Sequence, residues 1–422
     1  MRTIRGVIVT TRVILPIAAA LLAVTPAALA AAARHPAARH PAARHPAARH
    51  PAAPRPAAQP APGLLTSVAF TGPDHGYGLF TAQHGDRCRA AAGATSDGGR
   101  RFTRPVAVAT WSCGGSAPAA ALAAGNRGDV FWFGPALFTS QDGGRAWHRA
   151  RPGGLVLDLA AAGRSAWALV ARCRGDNQRT VQCPVRLIVS ADGGRTWRAA
   201  RHQPPGATVP VYQGEPEGSA DLVRTRSASY VLTGPAPMGR PAGARIWVTR
   251  GAAWSRHRVR CGFQGLSAAL AVAPGGTIFV ACASEPSAGA QAKSLAWSAD
   301  GGRTWTVRRP CRTGAGLGCP PLSLGYLGQI AAPAGRTVFL TGARSSLLVT
   351  RDGGRAWHQV RPLIGDTGGG TDQVTFFGRA GRASRAGRDG LVFGYDARHG
   401  ERPAIWHTTD GGVRWQVVYP GP

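Results

Sequence analysis

The apolar positions of this chain fall in short runs separated by Gly, Pro, Asp and Ser, and the runs recur. Ser67–Phe70 is followed by Tyr77–Thr81, and Leu270–Ala273 by Thr277–Ala281. A third run, such as Leu347–Thr350, leads into a polar motif, and a fourth, such as Trp415–Tyr419, leaves it. Short apolar runs bounded by turn residues predict strands. The motif is Ser/Thr-x-Asp-Gly-Gly-x-x-Trp/Phe, at Thr95–Phe102, Ser140–Trp147, Ser190–Trp197, Ser298–Trp305, Thr350–Trp357 and Thr408–Trp415. Its acids, Asp97, Asp142, Asp192, Asp300, Asp352 and Asp410, are spaced by 45, 50, 108, 52 and 58 residues. The long interval hides a seventh copy, Trp247–Trp254, which keeps Thr249 and Trp254 and lacks the Asp. Four strands in each period of about 50 residues mark stacked repeat units. The predicted fold is all-β: a seven-bladed β-propeller of four-stranded antiparallel blades, with six intact motifs and one degenerate. Length alone, 422 residues, would suggest two or three domains. The repeat instead makes 63–422 one propeller.

The motif has a mechanical rationale. Asp-Gly-Gly suits the hairpin between strands three and four: the carboxylate accepts turn N–H groups, and Gly takes positive φ without a Cβ penalty. The Ser or Thr hydroxyl ties the start of the turn. Phe102, Trp147, Trp197, Trp254, Trp305, Trp357 and Trp415 enter strand four, where a large aromatic is expected to pack between blades. These residues resemble the Asp-box, or BNR, repeat, and Ser-Ala-Asp-Gly-Gly-Arg-Thr-Trp at 190–197 and 298–305 is nearly an ideal copy. The repeat occurs in sialidases, sortilin-type receptor propellers, xyloglucan-degrading enzymes and photosystem II assembly-factor-like propellers. Val68-Ala69-Phe70 followed by Gly76-Tyr77-Gly78 looks most like the last group. The resemblance implies that the Asp-boxes lie on the rim, away from the ligand face, and that the six Asp are structural.

Two segments precede the repeat. In residues 1–33, Arg2, Arg5 and Arg12 lead into the apolar stretch Val13–Leu29, and Ala28-Leu29-Ala30 fits the small-x-small cleavage rule. The segment reads as a signal peptide or as an N-terminal membrane anchor, since 13–33 is barely long enough to span a bilayer. Either reading places the rest outside the cytoplasm, secreted or associated with membrane or cell wall. Residues 34–62 begin with four copies of Arg-His-Pro-Ala-Ala, at Arg34, Arg39, Arg44 and Arg49. Regular Pro predicts an extended, disordered stalk. His35, His40, His45 and His50 on such a stalk do not converge on one ion, and no metal or other cofactor is expected.

Composition sharpens this picture. Gly and Pro are abundant, at 58 and 33 residues, Lys293 is the single Lys, and Glu occurs only at Glu215, Glu217, Glu285 and Glu401. A helix bundle would lean on Glu and Lys. The formal net charge is +30; removing the eight Arg of residues 1–62 leaves +22 on 63–422. Such a field draws polyanions in a salt-dependent way. Export argues against nucleic acid, and the aromatics that could stack on bases are committed to the repeat. Anionic envelope polymers or phospholipid headgroups fit the charge, while a composition dominated by Arg, Ala, Gly and Pro accounts for it equally. Arg100, Arg145, Arg195, Arg303 and Arg355, in the motif turns, are expected to be solvated. Membrane contact is expected only through an uncleaved N-terminus, and since nothing signals an oligomer a monomer is expected.

The eight Cys locate a face. An even number in an exported chain suggests disulfides. In a four-stranded blade the motif turn and the strand one–two turn share one face, and the strand two–three loops and blade connections share the other. Cys88, Cys113, Cys173, Cys183, Cys261, Cys282, Cys311 and Cys319 all map to the second face. Proximity in the predicted fold suggests the pairs Cys88–Cys113, Cys173–Cys183, Cys261–Cys282 and Cys311–Cys319. The insertions Arg172–Pro184, Pro235–Arg245, Ala283–Lys293, Arg308–Leu324 and Arg361–Asp372 map there too. Disulfides pinning long loops preorganise a binding surface; they would equally stabilise an exported domain with no ligand there.

Catalytic constellations are thin. A sialidase-like hydrolase needs a Tyr nucleophile with a Glu partner, an acidic Asp and an Arg cluster. The Phe/Tyr-Arg-Ile-Pro signature usual ahead of the first Asp-box is absent, and Tyr212 with Glu215 and Glu217, in a Pro/Gly-rich loop connecting blades three and four, is the best Tyr/Glu set. Two-acid hydrolysis needs carboxylates about 5–10 Å apart, and Asp158, Asp221 and Asp372 near the starts of first strands are the candidates. The expected function is therefore a non-catalytic binding or assembly scaffold for a protein or for an anionic envelope polymer or glycan. A secreted glycoside hydrolase of sialidase-like or xyloglucanase-like type is the alternative.

Overall fold

The computed structural model describes residues 63–421 apart from 113–119, 135, 174–179, 213–214, 235–242, 262–266, 285–290, 309–324, 343–346, 361–370, 378–386 and 397–401. Its strands form seven antiparallel sheets, each wound outward from its first strand. Blade 1 holds β1 (Leu64–Phe70), β2 (Gly76–His84), β3 (Arg87–Thr95) and β4 (Val106–Ser112). Blade 2 holds β5 (Ala121–Ala124), β6 (Val130–Phe133), β7 (Leu137–Ser140) and β8 (His148–Ala150). Blade 3 holds β9 (Leu155–Ala162), β10 (Ser165–Ala171), β11 (Val181–Ser190) and β12 (Arg198–Ala199), with an added hairpin of β13 (Thr208–Tyr212) and β14 (Glu215–Pro216). Blade 4 holds β15 (Ala220–Arg224), β16 (Ala228–Thr233), β17 (Arg245–Arg250) and β18 (Ala253–Arg258). Blade 5 holds β19 (Ser267–Val272), β20 (Ile278–Ala283), β21 (Lys293–Ser298) and β22 (Thr306–Arg308). Blade 6 holds β23 (Ile330–Ala334), β24 (Thr337–Leu340), β25 (Leu348–Thr350) and β26 (His358–Gln359). Blade 7 holds β27 (Thr371–Phe376), β28 (Gly390–Asp396), β29 (Arg402–Thr408) and β30 (Gln416–Tyr419). From blade 1 to blade 7 the first strands of successive blades contact one another, and the whole is a seven-bladed propeller.

Each second strand lies between two neighbouring sheets and is apolar on both faces. Val130–Phe133, Ala228–Thr233 and Ile278–Ala283 are buried at every position. Such continuous runs are the mark of strands covered on both sides. The core is accordingly not inside the blades but between them. Seven apolar clusters fill the seven seams. In the seam of blades 2 and 3, Phe131, Phe133 and Leu137 meet Val156, Leu159 and Val170.

Blade 7 is built from its own four strands, and so is blade 1, so no strand is exchanged to close the ring. Closure rests on side chains. Leu65, Val68 and Phe80 of blade 1 pack on Leu391, Phe393, Ile405 and Val418 of blade 7. Phe102 stands edge-on to Phe80 and to Tyr419, with ring centroids 5.5 and 5.7 Å apart. Gln373 adds polar bonds across the same seam: the Val68 N–H donates to its Oε1 at 2.8 Å. The Gln373 amide in turn donates to Ser67 Oγ at 3.2 Å. Gln373→Leu leaves the Val68 N–H without its acceptor, which should cost about 1–3 kcal/mol. Denaturant unfolding, with hydrogen exchange at the Val68 amide, checks this; an unchanged midpoint and an unchanged Val68 rate would remove the bond from the closure.

Candidate functional site

The motif turns come first because they orient the ring. Each Ser or Thr hydroxyl of the intact motifs accepts the N–H of the second Gly, as in Gly144 N to Ser140 Oγ at 2.9 Å and Gly354 N to Thr350 Oγ1 at 2.8 Å. Each Asp turns inward on its own turn: Asp300 accepts the Ser298 hydroxyl and the Arg303 and Thr304 N–H groups. Donors gathered on a carboxylate favour its charged form. Hydrogen bonds from Thr196 and then Ser190 hold Asp192 down at about 2. The second Gly is set by close approach: a Cβ on Gly194 would stand 2.7 Å from Phe131 of the preceding blade, and one on Gly412 would collide with Phe339.

The motif aromatics sit in the seam with the blade before. Trp197 packs with the cluster of blades 2 and 3, Trp305 with that of blades 4 and 5, and Trp415 with that of blades 6 and 7. Trp147, Trp357 and Phe102 do the same at the seams of blades 1 and 2, 5 and 6, and 7 and 1. The indoles of Trp147, Trp197, Trp305 and Trp415 donate to the carbonyl of the second Gly at 3.1, 3.0, 2.9 and 3.2 Å. Blade 4 lacks the Gly pair and replaces the turn by a tight hairpin at Gly251, φ +72°. Trp254 still packs at the seam of blades 3 and 4, yet its indole nitrogen is buried with no acceptor among the described residues.

The channel wall has a second repeating device. A first strand pairs only with its second strand, so its other edge presents backbone N–H groups with no ladder partner. A polar residue on the preceding blade supplies the acceptor. Ser67 Oγ takes Leu122 N, Asp158 Oδ2 takes Leu222 N, and Asp221 Oδ2 takes Leu270 N at 2.8 Å. Gln329 Oε1 takes Val374 N, and Gln373 Oε1 takes Val68 N. Asp158 and Asp221, candidates for a pair of catalytic acids, are thus staples between blades 3 and 4 and between blades 4 and 5.

Asp372 is placed differently. The β27–β28 register slips between Thr371 and Gln373, which leaves Asp372 at a bulge just before the staple residue. Bulges re-aim the side chain they carry. Burial raises its carboxyl from the usual 3.8 to about 6. Burial pushes the Tyr395 phenol upward, and the nearby Asp372 charge adds to this. A cavity of about 230 Å³ opens among the first strands of blades 1, 2, 6 and 7, lined by Val68, Leu122, Val374, Phe393, Gln329 and Gln373 among others. Among the described residues, no carboxylate belongs to that lining.

Tyr212 and Glu215 occupy a β-hairpin rather than the loop that Gly and Pro suggested. They are cross-strand partners between β13 and β14, three and four strands out from β9. Glu217, just beyond, accepts the Thr180 hydroxyl at 2.7 Å. The hairpin forms because β11 runs past the length of β12, and its free end at Val181–Pro184 pairs with Thr208–Val211.

Two disulfides stand at the end of the blades opposite the motif turns. Cys173–Cys183 joins the exit of β10 to β11, Cα–Cα 4.8 Å. Cys261–Cys282 joins the exit of β18 to β20, Cα–Cα 5.6 Å, and so links blade 4 to blade 5. Cys88 is disulfide-bonded as well. Cys113, Cys311 and Cys319 lie outside the described residues, as do most of the insertions and residues 1–62. Lys293, noted in the sequence only as the single Lys, is a buried amine whose role pattern reasoning passed over. It is buried beside Cys261–Cys282, donates to the Gln291 and Gly325 carbonyls at 3.2 and 2.8 Å, and is lowered by burial to about 8. Its isolation in a chain that otherwise uses Arg was the available signal.

No protein-family model matches this chain, and no curated protein does. The fold is similar to that of YCF48 bound to D1 peptide, with a TM-score of 0.51, 16% identity, and 83% of this chain and 94% of that chain covered. YCF48 from Cyanidioschyzon merolae aligns at TM-score 0.47 and 17% identity over 82% of this chain and 96% of that one. The GH74 enzyme of Niastella koreensis aligns at 0.46 and 16% over 84% and 58%. At such identities the likeness is one of fold.

Two outcomes follow from this geometry. A carboxyl raised in the folded state holds its proton more tightly there than in the unfolded chain. Asp372 therefore contributes stability that is whole below its unfolded value of 3.8 and is lost as pH rises through about 6. Asp372→Asn stays neutral, so its melting temperature should exceed that of the native chain at pH 8 and converge with it near pH 4; a gap independent of pH would refute the assignment. Replacing Cys261 and Cys282 by Ala should cost about 3 kcal/mol, read by denaturant unfolding, with hydrogen exchange rising first at the seam of blades 4 and 5.

Proposed function

We propose that this chain is an exported, non-catalytic propeller that binds a protein partner through the face opposite the Asp-Gly-Gly turns, where disulfides hold the loops. In this reading the six motif Asp are architectural, residues 1–33 direct export, and residues 34–62 act as a spacer. The observation that carries the reading is the use made of the candidate acids. Asp158 and Asp221 are bonded to the backbone of the next blade, Tyr212 and Glu215 lie in a hairpin remote from the innermost strand, and among the described residues the cavity is lined without a carboxylate. A glycosidase needs two convergent carboxyl groups, or a Tyr with a Glu, at the sugar.

The binding face has what a rigid display requires. Cys173–Cys183 and Cys261–Cys282 fix the roots of two inserted segments, and the β13–β14 hairpin extends blade 3 beside the first of them. Loops held before binding cost less to order when a partner arrives. YCF48, the structure with the similar fold, is named as bound to a peptide, which supports a protein rather than a sugar as partner.

The test is site-specific photo-crosslinking in the intact envelope at high salt, which suppresses adducts formed by net charge alone. Crosslinkers at Arg172, Thr180 and Ala292 on the loop face should give a discrete protein adduct. Crosslinkers at Arg149 and Ser255 on the outer strands should not. Adducts of equal yield from both sets, or reducing-sugar release from envelope glycan that Asp372→Asn abolishes, would replace this reading with a non-specific or a hydrolytic one.

A further inference from the structure

We propose that the opposite face, the one formed by the Asp-Gly-Gly turns, docks flat on an anionic phospholipid surface through a ring of arginines. Five of them, Arg100, Arg145, Arg195, Arg303 and Arg355, fill one and the same motif position, directly after the Gly pair, and all are exposed. The motif fixes their backbone: Arg145, Arg303 and Arg355 give their N–H to the motif Asp at 2.9, 3.0 and 2.9 Å. Five more exposed arginines, Arg127, Arg164, Arg226, Arg336 and Arg388, sit in strand one–two turns, which share this face. Together the two sets place at least one guanidinium on every blade.

The motif carboxylates stay charged on this face, but the hydrogen bonds they accept come from turn N–H groups and from Ser and Thr hydroxyls, so ten exposed guanidinium groups are set against six motif acids. Arg100 and Arg164 each give one N–H to a turn carbonyl, of Asp97 and Asp192. The rest of each five-donor fork is left for a ligand. Of the acids in the strand one–two turns, Asp129 is buried and takes the Asn126 amide, while Asp74 is exposed and Asp389 half-buried. The arrangement favours a planar counterpart. Motif turns and strand one–two turns at the same end of the blades distribute the arginines around the ring, whereas a linear polyanion would call for a groove or for aromatic stacking. The motif aromatics are turned into the seams instead. The sixth motif carries Val413 where the other five carry Arg, and it is 63% exposed, an apolar tip at the level where headgroups would lie.

The experiment compares sedimentation of the full chain with phosphatidylglycerol/phosphatidylcholine vesicles and with phosphatidylcholine vesicles, and reads the ratio. Whatever residues 1–62 contribute is then shared by every variant. Changing Arg100, Arg145, Arg195, Arg303 and Arg355 together to Gln should lower the ratio at least about tenfold, since each basic residue near such a surface matters. Changing five exposed arginines of third and fourth strands, Arg149, Arg186, Arg198, Arg256 and Arg402, to Gln removes the same charge and should lower it less than about threefold. Val413→Asp alone, which leaves every turn hydrogen bond in place, should also lower the ratio. Equal losses for the two Arg sets would reduce the effect to net charge and overturn the proposal. So would ring-dependent binding of soluble polyphosphate with vesicle binding unchanged, which would point to a polymer.

Discussion

A propeller has to satisfy the inward edge of seven first strands that no other strand can reach. Those N–H groups face a channel too narrow for a further ladder, and an unpaired backbone donor there is costly. This chain answers with side chains placed one residue ahead of a large apolar residue: Ser67 before Val68, Asp158 before Leu159, Asp221 before Leu222, Gln329 before Ile330 and Gln373 before Val374. The polar residue takes the N–H of the apolar residue on the next blade, and that apolar residue enters the seam. One dipeptide thus performs both hydrogen bonding and packing. The ring is closed by the same device, because Gln373 and Val68 are one more instance of it and not a special lock.

The seams show how the motif and the staple divide the work. The staple holds neighbouring blades near the channel, and the motif aromatic holds them farther out, on the cluster shared with the preceding blade. The Gly pair lets the turn of one blade sit against the sheet of the previous one, where Phe131 and Phe339 leave no room for a Cβ. Blade 4 tests the logic from within. It has lost Asp and Gly-Gly, and its indole has lost the carbonyl that the intact motifs provide, as Trp254 shows. Its seams carry compensations: Asp221 staples blade 4 to blade 5, and Cys261–Cys282 bonds the same two blades covalently.

Most of the fold was legible because the turn chemistry is local. Asp, Gly-Gly and an aromatic at fixed offsets announce a hairpin wherever they occur, and even Thr249 with Trp254 sufficed to reveal the degenerate copy. The β13–β14 hairpin was not legible. Pro and Gly around Tyr212 read as loop, and only the excess length of β11, a tertiary fact, gives that segment an edge to pair with. The roles of Asp158 and Asp221 were hidden for a related reason. A carboxylate on a first strand looks the same in sequence whether it meets a sugar or a backbone N–H, and only the neighbouring blade decides. Lys293 lay deeper still, since burial of an amine among carbonyls leaves no periodic trace.

The two faces differ in what they can do because they differ in what builds them. On the motif face the backbone is over-determined: hydroxyl and carboxylate are engaged within each intact turn, and the Gly carbonyl in four of them, so the side chains between them are free to vary without disturbing the fold. Arg stands at that free position five times and Val once. On the other face length varies from blade to blade, and the chain must spend covalent bonds to fix it, as at Cys173–Cys183 and Cys261–Cys282. Repetition suits a broad surface that is the same in every direction, and irregular loops suit one partner in one orientation. In the two proposals made above, the regular motif face meets an extended surface and the irregular loop face a single partner, on opposite sides of one ring.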